Sequence, residues 1–80
     1  MSFVYILQSI DHPGQFYTGL CKDVEARLAS HNAGQSLHTA KYKPWRLLSY
    51  HWFERSETAA AFERYLKSGS GRAFAAKRLR

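Results

Sequence analysis

Residues Phe3 to Gln8 form a β-branched and aromatic run that is apolar on both alternating faces, with Phe3, Tyr5 and Leu7 on one side and Val4 and Ile6 on the other. A strand with one face in water alternates apolar with polar residues, whereas one that is apolar on both sides must be covered on both. The run therefore predicts a central strand. Next comes a polar turn, Asp11-His12-Pro13-Gly14, whose Pro-Gly pair suits a tight reversal. Gln15 to Leu20 reads as a second strand, antiparallel to the first across this short loop. In one register of that hairpin, Tyr5 and Tyr17 face each other directly. Tyr17 shares its face with Gly19, which permits close approach of a ligand or of backbone.

Asp23 is a favourable N-cap, Glu25 complements the first turn, and Gly34 is placed to stop a helix over residues 24–32. Gly34 to Lys43 reads as a polar loop, and Pro44 leads into a third strand, Trp45–Phe53. Ser56 is expected to cap a helix running to about Lys67, broken at Ser68-Gly69-Ser70-Gly71 and followed by a short basic helix over Arg72–Arg80. The order β-β-α-β-α-α predicts an α+β fold, a small sheet flanked by helices. Eighty residues suit one domain spanning 1–80, and an apolar share of 45% is enough for a core.

One cysteine, Cys21, rules out an internal disulfide framework, and no zinc-type Cys/His spacing occurs. The first residues read as a strand and not as a signal peptide, and no apolar stretch approaches the ~20 residues of a membrane helix. A cytoplasmic protein is the expectation. Twelve Lys and Arg against six Asp and Glu give a formal charge of +6, which favours a polyanionic partner. The excess is concentrated from Phe62 to Arg80, with six basic residues and one acid, Glu63. Nucleic acid ranks ahead of membrane lipid, because no long basic helix with a strongly apolar face is present.

Helical spacing places Val24, Arg27, Leu28 and His31 within an arc of about 100°. In the later helix, Ala59, Phe62 and Leu66 form the stripe with Glu63 beside it. A guanidinium, an imidazole and a carboxylate at the borders of core-facing stripes bear a desolvation cost and call for partners or a role. Taken singly, each is more often structural. Together they suggest convergence on one pocket.

These residues also fall into an ordered set of motifs. Val4-Tyr5-Ile6-Leu7-Gln8-Ser9 and Tyr17-Thr18-Gly19 form two tyrosine motifs, and Arg27-Leu28, His31-Asn32 and Gly34 follow on the first helix. Thr39 with Pro44-Trp45-Arg46-Leu47, and then Glu63-Arg64-Tyr65-Leu66-Lys67, complete the set. Over nearly its whole length the chain resembles the GIY-YIG nuclease superfamily, most of all its small single-domain bacterial members related to the catalytic domain of the excision-repair subunit UvrC. It departs from the pattern in reading Val-Tyr-Ile at the first motif, and in Thr18 and Leu20-Cys21 around the second.

The resemblance implies a three-stranded antiparallel sheet and a DNA endonuclease assisted by Mg²⁺ or Mn²⁺, with structure-specific cleavage in repair or recombination as its expected setting. Glu63 would then be the metal ligand, and Arg27 would hold the scissile phosphate. Tyr5 would assist or deprotonate the attacking water, and Tyr17 would position the water or the phosphate. A free phenol titrates near pH ~10, so such a base needs the metal and Arg27 to lower its pKa. His31 competes for the role of base, being best matched to neutral pH. Lys67 and Arg72, with Lys41 and Lys43, are candidates for phosphate contacts. RNA is a second possible substrate, and a protein partner could supply specificity. The main alternative is a non-catalytic nucleic-acid-binding module on the same scaffold, in which Tyr42, Trp45 or Trp52 would stack on bases.

Overall fold

A computed structural model describes residues 1–80 and contains three strands and four helices. These are β1 (Ser2–Ser9), β2 (Phe16–Cys21), α1 (Val24–Asn32), α2 (Leu37–Ala40), β3 (Trp45–Phe53), α3 (Ser56–Lys67) and α4 (Gly69–Arg78). The sheet has the order β2-β1-β3 with both pairings antiparallel, so β1 is the central strand. Its two apolar faces are both covered. Val4 and Ile6 pack with Ala59, Leu66 and Ala75 of α3 and α4, and with Phe62 and Leu79 at the margin. Tyr5 and Leu7 pack on the other face with Cys21 and Trp45, bordered by Tyr17 and by Val24 and Leu28 of α1. The result is an α+β sandwich with the sheet as its middle layer.

Asp23 caps α1 as expected, its Oδ1 accepting the Ala26 N–H at 3.1 Å. Gly34 follows with φ 76°, the left-handed conformation that glycine adopts without Cβ strain. The helix is tied to β3 by a side chain acting as a strand would. Asn32 Oδ1 accepts the Trp45 N–H at 2.5 Å, and Asn32 Nδ2 donates to the Trp45 carbonyl at 3.0 Å.

Four expectations are corrected. The hairpin register pairs Tyr5 with Gly19 and Leu7 with Tyr17, so the two tyrosines are diagonal neighbours. The stretch from Gly34 to Lys43 is not all loop, because α2 forms a single turn within it. Ser56 is the first residue of α3 and not its cap; the cap position is Arg55, and the Ser56 hydroxyl instead meets that of Ser2 at 3.1 Å. Finally, Ser68-Gly69-Ser70-Gly71 does not break the chain for long. Ser68 caps α4 by accepting the Gly71 N–H at 3.1 Å, and the helix begins at Gly69. A side chain at Gly71 would overlap the Tyr65 carbonyl, so the turn between α3 and α4 can close this tightly only around glycine.

Candidate active site

The site is built on the sheet face that carries α1 and α2. Tyr5 projects from the central strand and is 1% exposed. Its ring lies across Gly19 of the neighbouring strand, where a Cβ would stand 2.5 Å from the phenol oxygen. The glycine therefore sets the depth at which the tyrosine can lie. His31 comes from the last turn of α1 and is also 1% exposed, its Nε2 2.9 Å from the Tyr5 hydroxyl. On the far side of the imidazole, Nδ1 lies 2.7 Å from Oγ1 of Thr39, which α2 presents and which is likewise buried. Tyr17 closes the cluster, with ring centroids 4.8 Å from His31 and 6.1 Å from Tyr5.

Arg27 stands one helical turn before His31 and is exposed, near enough to Tyr5 and His31 for its charge to act on both. Burial raises the Tyr5 pKa above the ordinary phenol value, and Tyr17 adds to that rise while Arg27 opposes it. The expected lowering by Arg27 is thus real in sign, but desolvation outweighs it. Burial lowers the His31 pKa, and the Arg27 charge lowers it further. At neutral pH the cluster holds a protonated phenol beside a neutral imidazole, under a fixed positive charge. That arrangement can take up a proton from Tyr5 and can stabilise negative charge at Arg27.

Of the residues singled out in the sequence, Tyr5, Tyr17, Arg27 and His31 gather here, and Glu63 does not. It lies on α3, which covers the opposite face of the sheet and extends over β1 and β2. Because both faces of β1 are buried, α1 and α3 occupy opposite layers, and their polar borders approach each other only around the β2 edge. Glu63 instead pairs with Lys67 one turn on, at 2.6 Å, with its own side chain 18% exposed.

Lys67 in turn lines a cleft of about 260 Å³ together with Arg72 and Arg80, opposite Phe16, Tyr17 and Thr18 at the start of β2. Arg80 is held over the Phe16 ring, 3.9 Å from its centroid. Tyr17 thus belongs to both places, bordering the buried cluster through its ring and the basic cleft along its strand. Lys41 and Lys43 are not in the cleft. The Lys41 ammonium lies 5.2 Å from the Tyr42 ring centroid, and Lys43 rests beside Gly34. Tyr42 and Trp45 pack against the apolar part of the α1 face, and the Trp45 Nε1–H donates to the Thr39 carbonyl at 2.9 Å.

Sequence reasoning assigned no role to Thr39 beyond marking the linker. A buried threonine in a polar stretch with His38 beside it has no periodic signature, and only its partner across space identifies it.

Comparison with known proteins identifies the family and the fold. Residues 1–77 match the model of the GIY-YIG catalytic domain. UPF0213 proteins from Streptococcus pyogenes serotypes M3 and M1 are 36% identical over 67 residues, covering 82% of this chain and 71% of theirs. The solution NMR structure of a UPF0213 protein from Bacillus halodurans superposes with a TM-score of 0.57 at 31% identity, over 96% of this chain and 84% of that one. A match over nearly the whole length, on a fold with the same sheet and helices, makes this chain a member of the GIY-YIG family, whose domain implies nuclease activity on nucleic acid.

Proposed function

We propose that the protein is a DNA endonuclease, acting as one domain, that hydrolyses phosphodiester bonds at the junction of the buried cluster and the basic cleft. The observation that carries this reading is the Tyr5–His31 contact at 2.9 Å, buried between an exposed arginine on α1 and Tyr17 at the mouth of the basic cleft. A buried tyrosine hydroxyl needs a hydrogen-bond partner, and here that partner is a titratable imidazole one helical turn from an exposed arginine.

Arg27 would grip the scissile phosphate through its guanidinium fork and stabilise the charge that grows on the non-bridging oxygens. A water molecule positioned by Tyr17 attacks phosphorus. As the new P–O bond forms, the water proton passes to the Tyr5 oxygen while the Tyr5 proton passes to His31 Nε2. The bond to the leaving nucleoside oxygen breaks, and that oxygen takes a proton from solvent. Because the raised pKa of Tyr5 keeps it protonated at rest, the transfer is a relay and not an attack by a standing phenolate. Tyr5 and His31 then share the role of base, with His31 as the terminal acceptor.

Mg²⁺ or Mn²⁺ fits the donor set in one respect. Glu63 is a partly buried carboxylate that already faces a cation, and a lone carboxylate suits an ion that keeps most of its waters and takes other ligands from phosphate. Bound there, the ion would supply neutralisation of phosphate charge. Lys67, Arg72 and Arg80 would hold the flanking strand by its backbone, independently of sequence. The chemistry supports DNA and RNA alike, and a role in repair or recombination in the cytoplasm belongs to this same proposal.

Incubation with single-stranded, flap and duplex DNAs in Mg²⁺ or Mn²⁺ is expected to give cleavage that Glu63→Ala abolishes while binding is retained. Wild-type protein that binds these DNAs in a salt-dependent manner, yet never cuts them, would instead establish a non-catalytic binding module.

A further inference from the structure

The imidazole of His31 can accept a proton from Tyr5 only if Nε2 is bare, and a neutral imidazole leaves either nitrogen bare with similar ease. Something must choose. Tyr5 is 1% exposed, so in the resting protein the phenolic proton has no acceptor in solvent. Its one available acceptor is His31 Nε2, at 2.9 Å. If Nε2 carried the proton, it would donate to that oxygen, and the buried hydroxyl proton would be left without a partner.

On the other side of the ring the only group within reach of Nδ1 is Thr39 Oγ1, at 2.7 Å. The Thr39 hydroxyl has its own acceptor in the Ser36 carbonyl one turn back, at 3.5 Å, which leaves its lone pairs for an N–H. We propose that Thr39 is a positioning residue for the reaction, accepting the Nδ1–H of His31 and so holding Nε2 bare toward the Tyr5 phenol. Its own backbone is fixed from the opposite side, because its carbonyl accepts the Trp45 indole N–H at 2.9 Å. Thr39 is 1% exposed and touches no substrate. The charged and titratable groups that face the ring are Tyr5 from β1, Tyr17 from β2 and Arg27 from α1, and α2 contributes none but the threonine hydroxyl.

The inference rests on the nuclease reading for its catalytic meaning, but its structural content is tested without substrate. Heteronuclear NMR of the imidazole nitrogens distinguishes the tautomers, with the His31 signals assigned among the four histidines by comparison with His31→Gln. Wild-type protein at neutral pH is expected to show His31 neutral and protonated at Nδ1. Thr39→Val keeps the shape and removes the acceptor. It should move the ring to a mixture or to the Nε2–H form, and lower kcat at least about tenfold, within the ~10²–10⁴-fold that positioned proton transfer contributes. KM should stay within about twofold, since Arg27 and the cleft are untouched. Thr39→Ser should restore both the tautomer and the rate.

A wild-type His31 found as the Nε2–H form overturns the proposal, whether or not any variant folds. So does a folded Thr39→Val protein with an unchanged tautomer, or a Thr39→Ser protein that folds but leaves the ring as in Thr39→Val. If the wild type cleaves no nucleic acid, the nuclease reading falls, and the wild-type spectrum still decides whether Thr39 sets the ring.

Discussion

The two faces of β1 are built from one strand on opposite principles. On the α3 and α4 face, Val4 and Ile6 meet Ala59, Leu66 and Ala75, and the polar groups there, Ser2 on Ser56 and half-buried His51 beside Phe62, stay at the margins of that apolar centre. On the α1 and α2 face, Tyr5 and Leu7 share the space with His31 and Thr39, whose polar atoms are satisfied by one another and by Tyr5. The first face contributes stability through the removal of apolar area from water, about 1.5–3 kcal/mol for each fully buried aliphatic side chain. The second gains little net energy from its hydrogen bonds, roughly 0.5–1.5 kcal/mol each, but loses much if one is broken. So small a domain can hold a buried polar cluster at the centre of one face because the centre of the other face is purely apolar.

The sharpest way to test that division is to damage one face and read the other. Leu66→Ala on the apolar face should cost about 2–5 kcal/mol of stability, measured by denaturant unfolding. At temperatures where the variant is folded, the His31 ring should keep its wild-type signals. A changed ring would show that the faces are not independent. Arg27→Ala should do the reverse, leaving the melting temperature nearly unchanged because the residue is exposed, while kcat falls about 10²–10³-fold.

Gly19→Ala lies between these extremes. Its Cβ would meet the Tyr5 ring at 2.5–2.8 Å, so the ring must shift away, at roughly 1–3 kcal/mol of overpacking. Activity should drop further than that stability loss explains, because the phenol leaves the imidazole. Equal activity with a displaced Tyr5 ring would remove the relay from the mechanism.

The smallest effect is on the acid side, and both faces should share it. Burial lowers the pKa of His31 on one face and of His51 on the other, where its ring stands 5.5 Å from Phe62. In the unfolded chain both rings take protons near pH ~6.5, so the unfolded state binds more protons below that value. Stability should be complete above pH ~6.5 and decline as the pH falls from there toward the folded-state values. His51→Gln should remove part of this dependence and leave cleavage unaffected, whereas His31→Gln should alter both.

How much of this was legible in advance follows from what a linear pattern can encode. The central position of β1 was legible because two-sided apolarity admits no other place for a strand. The hairpin register was not, for a specific reason. A shift of two residues returns every side chain to its own face, so the apolar pattern is blind to it, and only the length of the turn decides. The same blindness explains why the shared face of Tyr5 and Tyr17 was legible while their direct pairing stayed conditional on a register the hairpin does not adopt. Single-turn α2 was illegible because its Leu37 is 92% exposed and its one buried residue, Thr39, is polar. The start of α4 was hidden by Gly69 and Gly71, both poor helix formers, of which Gly71 is required by its close packing against the Tyr65 carbonyl. Within the candidate site, helical spacing found Arg27 and His31, but it could not say that α3 would bring Glu63 to the opposite layer. That depends on which side each connection crosses.

The pairing of Asn32 with the Trp45 backbone has a practical consequence. The Trp45 amide is held by a side chain of α1 and by no strand, so its hydrogen is released to solvent only when the helix lifts off the sheet. Its rate of deuterium exchange therefore clocks that single opening motion, separately from the unzipping of the β ladders. One amide in the chain serves as a built-in gauge of how often the tyrosine pocket is uncovered.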